Sequence, residues 1–242
     1  MRQSVTLGLV QMAMGPEREA NVEHAVALAR RARERGAELI VFPELFTGPF
    51  FARTLDPAQF SQAEPIPGPT TDVLSALATE LGAVVVGSVF EEVEPGFCFN
   101  TAVVFEADGS FLGRSRKMHI PHYTSYHEKF YFTPGDTDYP VFETSLINLA
   151  AFTCWDQWFP EPARIAFLKG AELIVYPTAL ALEPSVELSY FDAWETVMRG
   201  HAIANTSYVA AVNRVGHEGE MHFLGRSFVS DPEGVVLQRG DD

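Results

Sequence analysis

The stretch Gly36-Ala37-Glu38-Leu39-Ile40-Val41-Phe42-Pro43-Glu44 recurs almost unchanged as Gly170-Ala171-Glu172-Leu173-Ile174-Val175-Tyr176-Pro177-Thr178. Seven of the nine positions are identical, and the copies start 134 residues apart. Each copy follows a segment with helical spacing (Ala25–Arg35 and Ala163–Lys169), turns on a glycine and stops at a proline. A repeat constrains architecture first, because each copy is a unit that must bury its apolar face against a neighbour. The copies diverge in their last residue, a carboxylate at Glu44 and a hydroxyl at Thr178, so the two halves carry different chemistry.

The segments around the repeat extend the parallel. Val5–Met12 reads as a buried strand, and Glu19–Arg35 as a helix with Val22, Ala25, Val26, Ala29 and Ala32 on one stripe, ending at Gly36. Leu39–Phe42 is a strand and Thr70–Leu81 a helix. Ala83–Phe90, Phe99–Glu106 and Phe111–Arg116 are strands, the last two joined across Asp108-Gly109. The second half replays this order with strand Leu146–Thr153, helix Pro160–Lys169, strand Leu173–Tyr176, helix Ser189–Asn205, and strands Tyr208–Arg214, Leu224–Ser230 and Val235–Gln238. Both halves read β-α-β-α-β-β-β. Two such units predict an α/β protein, a four-layer α-β-β-α sandwich of two pseudo-repeated halves. No linker separates them, so residues 1–242 are expected to form a single domain.

Charge narrows the partners. Lys and Arg number 17 against 32 Asp and Glu, a net charge of −15, which argues against nucleic acid and suits a cationic small molecule. The N-terminus lacks the apolar core of a signal peptide, and no apolar run is long enough for a membrane span, so a cytoplasmic protein is expected. Cys98 and Cys154 alone make no disulfide framework, and a cytoplasmic thiol is free for chemistry.

Working residues of open α/β sheets sit at the carboxyl ends of strands. Glu44, Lys117 and Cys154 all fall there. A thiol must lose its proton to attack, a carboxylate can take that proton, and a lysine can hold the oxyanion of a tetrahedral adduct together with the backbone N–H of Trp155. Each has a plainer reading: Cys154 as buried packing, Glu44 as a solvated turn residue, Lys117 as part of an exposed Arg114-Ser115-Arg116-Lys117 cluster. Their shared location favours chemistry. Tyr126 and Trp155 read either as pocket walls or as core aromatics, and Glu128 taken by itself reads as a surface partner of Lys129.

Phe42-Pro43-Glu44-Leu45-Phe46, Arg116-Lys117-Met118-His119-Ile120-Pro121 and Cys154-Trp155-Asp156-Gln157-Trp158-Phe159-Pro160-Glu161 resemble, in the right order, the three catalytic blocks of the nitrilase superfamily of carbon–nitrogen hydrolases. The third block and Glu128-Lys129-Phe130-Tyr131-Phe132-Thr133-Pro134-Gly135-Asp136 look most like its N-carbamoylputrescine amidohydrolase branch. The resemblance implies a triad with Glu44 as base, Lys117 as stabiliser and Cys154 as nucleophile, with Glu128 orienting the lysine or the substrate nitrogen. It implies hydrolysis of N-carbamoylputrescine to putrescine, CO2 and ammonia, no metal or organic cofactor, and a homo-oligomer of two or more chains. Glu183 looks like the residue that receives a distal ammonium in that branch. Two departures stand out: His122-Tyr123-Thr124-Ser125-Tyr126-His127 where the branch carries Asp, and a chain that stops at Gly240-Asp241-Asp242 where the family continues.

Other readings stay open. An amidase or nitrilase on another small substrate needs the same triad. A metal-dependent hydrolase would use His119, His122 and His127, although their spacing matches no familiar zinc pattern. A catalytically silent family member would keep the fold without the chemistry.

Overall fold

The computed structural model describes residues 4–182 and 188–241. The first half contains β1 (Leu7–Leu9), α1 (Arg18–Glu34), β2 (Leu39–Val41), α2 (Pro69–Leu81), β3 (Val84–Glu94), β4 (Phe97–Phe105) and β5 (Phe111–Arg116). These strands form one sheet in the order β1-β2-β3-β4-β5, parallel through β3 and antiparallel after it. A short helix, α3 (Glu128–Tyr131), lies in the passage to the second half. There follow β6 (Phe142–Glu143), β7 (Asn148–Ala151), α4 (Pro160–Leu168), β8 (Leu173–Thr178), β9 (Ala181–Leu182), α5 (Ser189–Asn205), β10 (Tyr208–Asn213), β11 (Val215–Glu218), β12 (Met221–Leu224), β13 (Phe228–Ser230) and β14 (Val236–Arg239). The second sheet runs β14-β13-β10-β8-β7-β6. Its strands β7, β8, β10, β13 and β14 repeat the order and directions of β1 to β5, and β6 adds an antiparallel edge.

Alternation along the strands explains the layers. Leu39, Val41, Val84, Val86, Ala102 and Val104 face Leu149, Ala151, Leu173, Val175, Ala210 and Val212 in one buried cluster between the sheets. The intervening Ile40, Phe42, Val85, Val103 and Phe105 pack under Ala25 and Ala29 of α1 and Leu74, Leu77 and Ala78 of α2. Across the molecule, Ile174, Tyr176, Val209 and Ala211 pack under Ala163 and Ala166 of α4 and Phe191, Trp194, Met198 and Ala202 of α5. Strands covered on both faces must be apolar at every position, which is why the repeat reads Leu-Ile-Val-Phe and Leu-Ile-Val-Tyr without a polar break. The result is the four-layer α-β-β-α sandwich.

The duplicated segment performs one structural task twice. Gly36 and Gly170 close their helices at φ +94° and +95°, a conformation in which a Cβ is strained. The next glutamates, Glu38 and Glu172, each tie three strands together. Their side chains accept from the N–H of Thr6 and of Asn148, both at 3.2 Å. Their backbone N–H groups donate to the carbonyls of the same two residues, and their own carbonyls accept from Val84 and Tyr208.

Several predicted elements differ. The strand expected over Val5–Met12 is confined to Leu7–Leu9, because β1 is a sheet edge with β2 as its partner. The strand expected over Leu224–Ser230 is cut in two, since Gly225 (φ +72°) and Arg226 (φ +56°) turn the chain between β12 and β13. The second half also exceeds the predicted order. Beyond β6, strands β11, β12 and β9 form a separate small sheet. Among the described residues no helix is long and apolar enough to cross a membrane.

Candidate active site

Glu44 follows β2. Phe42 N–H makes the last bond to β3, at Val86 O, and Pro43 has no donor to continue the ladder. The chain then turns through Leu45, whose φ is +49°. Lys117 follows β5, its N–H on Asn100 O and its carbonyl accepting from Gly135 N–H. Gly135 is required there, as a Cβ would stand 2.2 Å from Arg116 O. Arg116 is locked by Glu91, by Asp136 and by the Phe99 ring 4.0 Å beneath its guanidinium, which fixes the direction in which Lys117 leaves the strand. Cys154 comes two residues after Phe152, whose N–H bonds to Val175 O beyond the end of β7. It starts a short 3-10 turn, Cys154–Trp158, with φ +42°, a left-handed conformation costing a non-glycine residue about 1–2 kcal/mol.

These strand ends converge. Lys117 Nζ donates to Glu44 Oε1 at 3.0 Å and to Glu128 Oε2 at 2.6 Å. Asn100 Nδ2 donates to the same Glu44 oxygen at 2.6 Å. The side chains of Lys117, Glu44 and Glu128 are fully buried, and Cys154 is 3% exposed. The readings of Lys117 and Glu128 as surface residues are thereby overturned. Among the described residues, Glu44 Oε2 and Glu128 Oε1 are buried with no hydrogen-bond partner, which leaves two acceptor positions in the cluster.

The electrostatics follow from two carboxylates around one ammonium. Burial alone would pull Lys117 down, but Glu128 and Glu44 outweigh it and hold its ammonium well above the ordinary range. Burial pushes Glu128 up to about 7, with Glu44 adding to the rise and Lys117 opposing it. Burial, then Glu44, also raise the Cys154 thiol well above its usual value against the pull of Lys117, and the Ala179 N–H bonds toward the sulfur. The resting group is therefore a thiol, and attack requires a base at the moment of reaction. A thiol, a carboxylate and a fixed ammonium in a dry pocket can perform acyl transfer from a C–N bond.

A family model of carbon-nitrogen hydrolases matches residues 6–242. The chain belongs to the carbon-nitrogen hydrolase family. It is 41% identical over 248 residues to the N-carbamoylputrescine amidase of Solanum lycopersicum, covering 98% of this chain and 82% of that one. It is 34% identical to a citrullinase of Francisella tularensis subsp. tularensis (strain SCHU S4 / Schu 4), covering 98% of this chain and 85% of the relative. A crystal structure of a carbon-nitrogen hydrolase from Helicobacter pylori G27 superposes with a TM-score of 0.95 at 38% identity, over 98% of this chain and 86% of that one.

The residues expected as pocket walls have these surroundings. Tyr126 is buried, and its hydroxyl donates to Ala179 O at 2.9 Å while accepting from Ala181 N–H at 3.0 Å. It thus fixes the 179–181 segment, with its ring packed against Phe50 and Tyr123. Trp155 is half-buried against Tyr123 and Trp158, at ring distances of 5.4 and 6.1 Å. Glu183 lies outside the described residues. His119 pairs with Asp156 and stacks on Phe159, whereas His122 and His127 pack edge to face at 5.4 Å, and among the described residues no group of three or more His, Cys, Asp or Glu is placed to hold a metal ion.

Sequence reasoning missed Asn100 and Asp156. Asn100 and Thr101 together form the polar interruption of an otherwise apolar β4, a signal in its own right. Asp156 accepts from the N–H groups of Met118 and His119 and from His119 Nδ1 at 2.7 Å, which ties the Lys117 strand end to the Cys154 turn.

Proposed function

We propose that this hydrolase cleaves the terminal ureido group of a small amine, with N-carbamoylputrescine as the leading substrate and putrescine, CO2 and ammonia as products. The observation that carries this reading is the buried meeting of Lys117 with Glu44 and Glu128 beside the Cys154 thiol. Glu44 takes the thiol proton as sulfur attacks the carbonyl carbon. Lys117 and the Trp155 N–H hold the resulting oxyanion, and Glu128 keeps Lys117 in place. Collapse expels one nitrogen, which receives the proton from Glu44, and leaves a thiocarbamate on Cys154. Water, deprotonated by Glu44, then frees a carbamic acid that loses CO2 to give the second amine. Glu44 serves as base and acid in turn.

The names of the plant relatives and the net charge of −15 support a cationic substrate and a role in polyamine biosynthesis. A second reading has its own observation. Citrulline carries the same ureido group and distal ammonium plus a carboxylate, and the imidazoles of His122 and His127, packed edge to face beside the Tyr123–Tyr126 bridge, offer ring nitrogens to an anion. One relative is named a citrullinase. We also read the chain as a homo-oligomer, supported by apolar side chains left exposed at Leu168, Ile203 and Leu237.

The test is ammonia release from N-carbamoylputrescine, citrulline, N-carbamoyl amino acids, short amides and a nitrile, with Cys154→Ala in parallel. Release from N-carbamoylputrescine above the others, absent in the variant, is the expected result. Preference for citrulline would move the assignment to the second reading. Turnover surviving in Cys154→Ala would end the thiol mechanism.

A further inference from the structure

Asn213, the last residue of β10, and Arg214 directly after it reach both sides of the site. Asn213 Oδ1 accepts from Leu180 N–H at 2.8 Å and from Arg214 N–H at 3.0 Å, and its Nδ2 donates to Leu180 O at 2.9 Å. Arg214 extends the other way. It is wholly buried, with Nη1 on Glu218 Oε1 at 2.7 Å and the Phe223 ring 5.2 Å from the guanidinium. Its Nη2 donates to the main-chain carbonyls of Glu44 at 2.8 Å and Leu45 at 3.0 Å. A cation from the second half therefore grips the peptide from which the Glu44 carboxylate hangs in the first.

The gripped turn is strained, since Leu45 sits at φ +49°. It is held from both sides: its carbonyl by Arg214, and its N–H by Ser88 Oγ at 3.1 Å. Burying a guanidinium is expensive, and apolar packing would stabilise the interior as well or better. A buried arginine spent on three carbonyls and one carboxylate is better explained by placement than by stability.

We propose that Arg214 is a positioning residue for the general base. It touches no reacting atom, and it sets the Glu44 carboxylate at the thiol by clamping the Glu44–Leu45 main chain across the two halves. This rests on the reading of Glu44 as the base. A shift of about 1 Å in such a group can cost ~100-fold in rate.

The experiment measures kcat and KM for ammonia release, and the rate of Cys154 alkylation by iodoacetamide across pH, in Arg214→Lys, Ser88→Ala, Glu44→Gln and the double variants carrying Glu44→Gln. Lysine keeps the charge for Glu218 but loses the fork that spans the carbonyls. The expected result for Arg214→Lys is kcat lower by ~100-fold at a KM within about twofold, with alkylation slowed in parallel. Combined with Glu44→Gln it should add nothing, because the group it positions is already disabled. Folded Arg214→Lys with parental kcat, or one whose loss persists undiminished in the Glu44→Gln background, would overturn the proposal. If circular dichroism shows Arg214→Lys unfolded, Ser88→Ala decides by the same criteria from the other side of Leu45. The two failures are separable: Glu44→Gln that leaves alkylation unchanged removes the base assignment and this proposal with it. A slowed Glu44→Gln beside an unaffected Arg214→Lys removes this proposal alone. The alkylation readout stands whichever substrate proves correct.

Discussion

Glu128 shares the Lys117 ammonium with Glu44, and burial raises its carboxyl to about 7, so the charge beside Lys117 changes in the neutral range. Protonated Glu128 loosens its hold on the Lys117 ammonium, so kcat/KM should rise as pH passes upward through about 7. In Glu128→Gln that limb should leave the neutral range; a profile identical to the parent's would refute the assignment. Stability carries the opposite sign. Glu128 is raised from 4.5 to about 7, so the folded protein binds more protons than the unfolded chain between those values. Its contribution is fully present below 4.5 and is lost as pH rises through 7. The melting temperature of Glu128→Gln, measured against the parent, should therefore improve from pH 5 to pH 8. Asn100 is the next test at this scale. Asn100→Asp exchanges the donor on Glu44 Oε1 for a third buried carboxylate. It should cost about 2–4 kcal/mol in urea unfolding and most of the activity. A variant as stable and active as the parent would show that the 2.6 Å bond matters little.

At the scale of elements, the repeat predicts equal behaviour at two distant positions. Gly36 and Gly170 have the same positive φ, and a Cβ on Gly36 meets nothing within 4 Å while one on Gly170 barely reaches Asn148. Gly36→Ala and Gly170→Ala should each cost about 1–2 kcal/mol from backbone strain alone and leave turnover intact. Costs that differ severalfold in denaturant unfolding would mean that the copies are not mechanically equivalent. This equivalence was readable from the chain because it resides in local pattern: a helix stripe, a glycine, an apolar run and a proline. The strand-end positions of Glu44, Lys117 and Cys154 were readable for the same reason. What escaped depends on partners distant in the chain. Asn100 meets Glu44 across 56 positions and Arg214 meets it across 170, and nothing local announces either contact. The β9, β11 and β12 sheet escaped because its strands are two to four residues long and carry His217, Glu218 and His222, which read as loop.

For the molecule as a whole, the question is whether the two halves fold as one unit. Val86 and Val104 of the first sheet share one buried cluster with Val175 and Val212 of the second, and each sheet alone would expose this apolar face to water. Arg214 adds a buried polar tie across the same divide. We therefore expect a single domain with one cooperative transition, despite a repeat that could suggest two. The tryptophans supply the means to check. All three, Trp155, Trp158 and Trp194, lie in the second half, so their fluorescence reports on that half, whereas far-UV circular dichroism reports on both. Urea curves from the two probes should coincide. Val175→Ala, which opens a gap between the sheets, should lower both midpoints together by the equivalent of roughly 1–3 kcal/mol. A fluorescence transition separated from the dichroism transition would mean that the duplicated halves retain independent stability, with the site assembled by docking and not by folding.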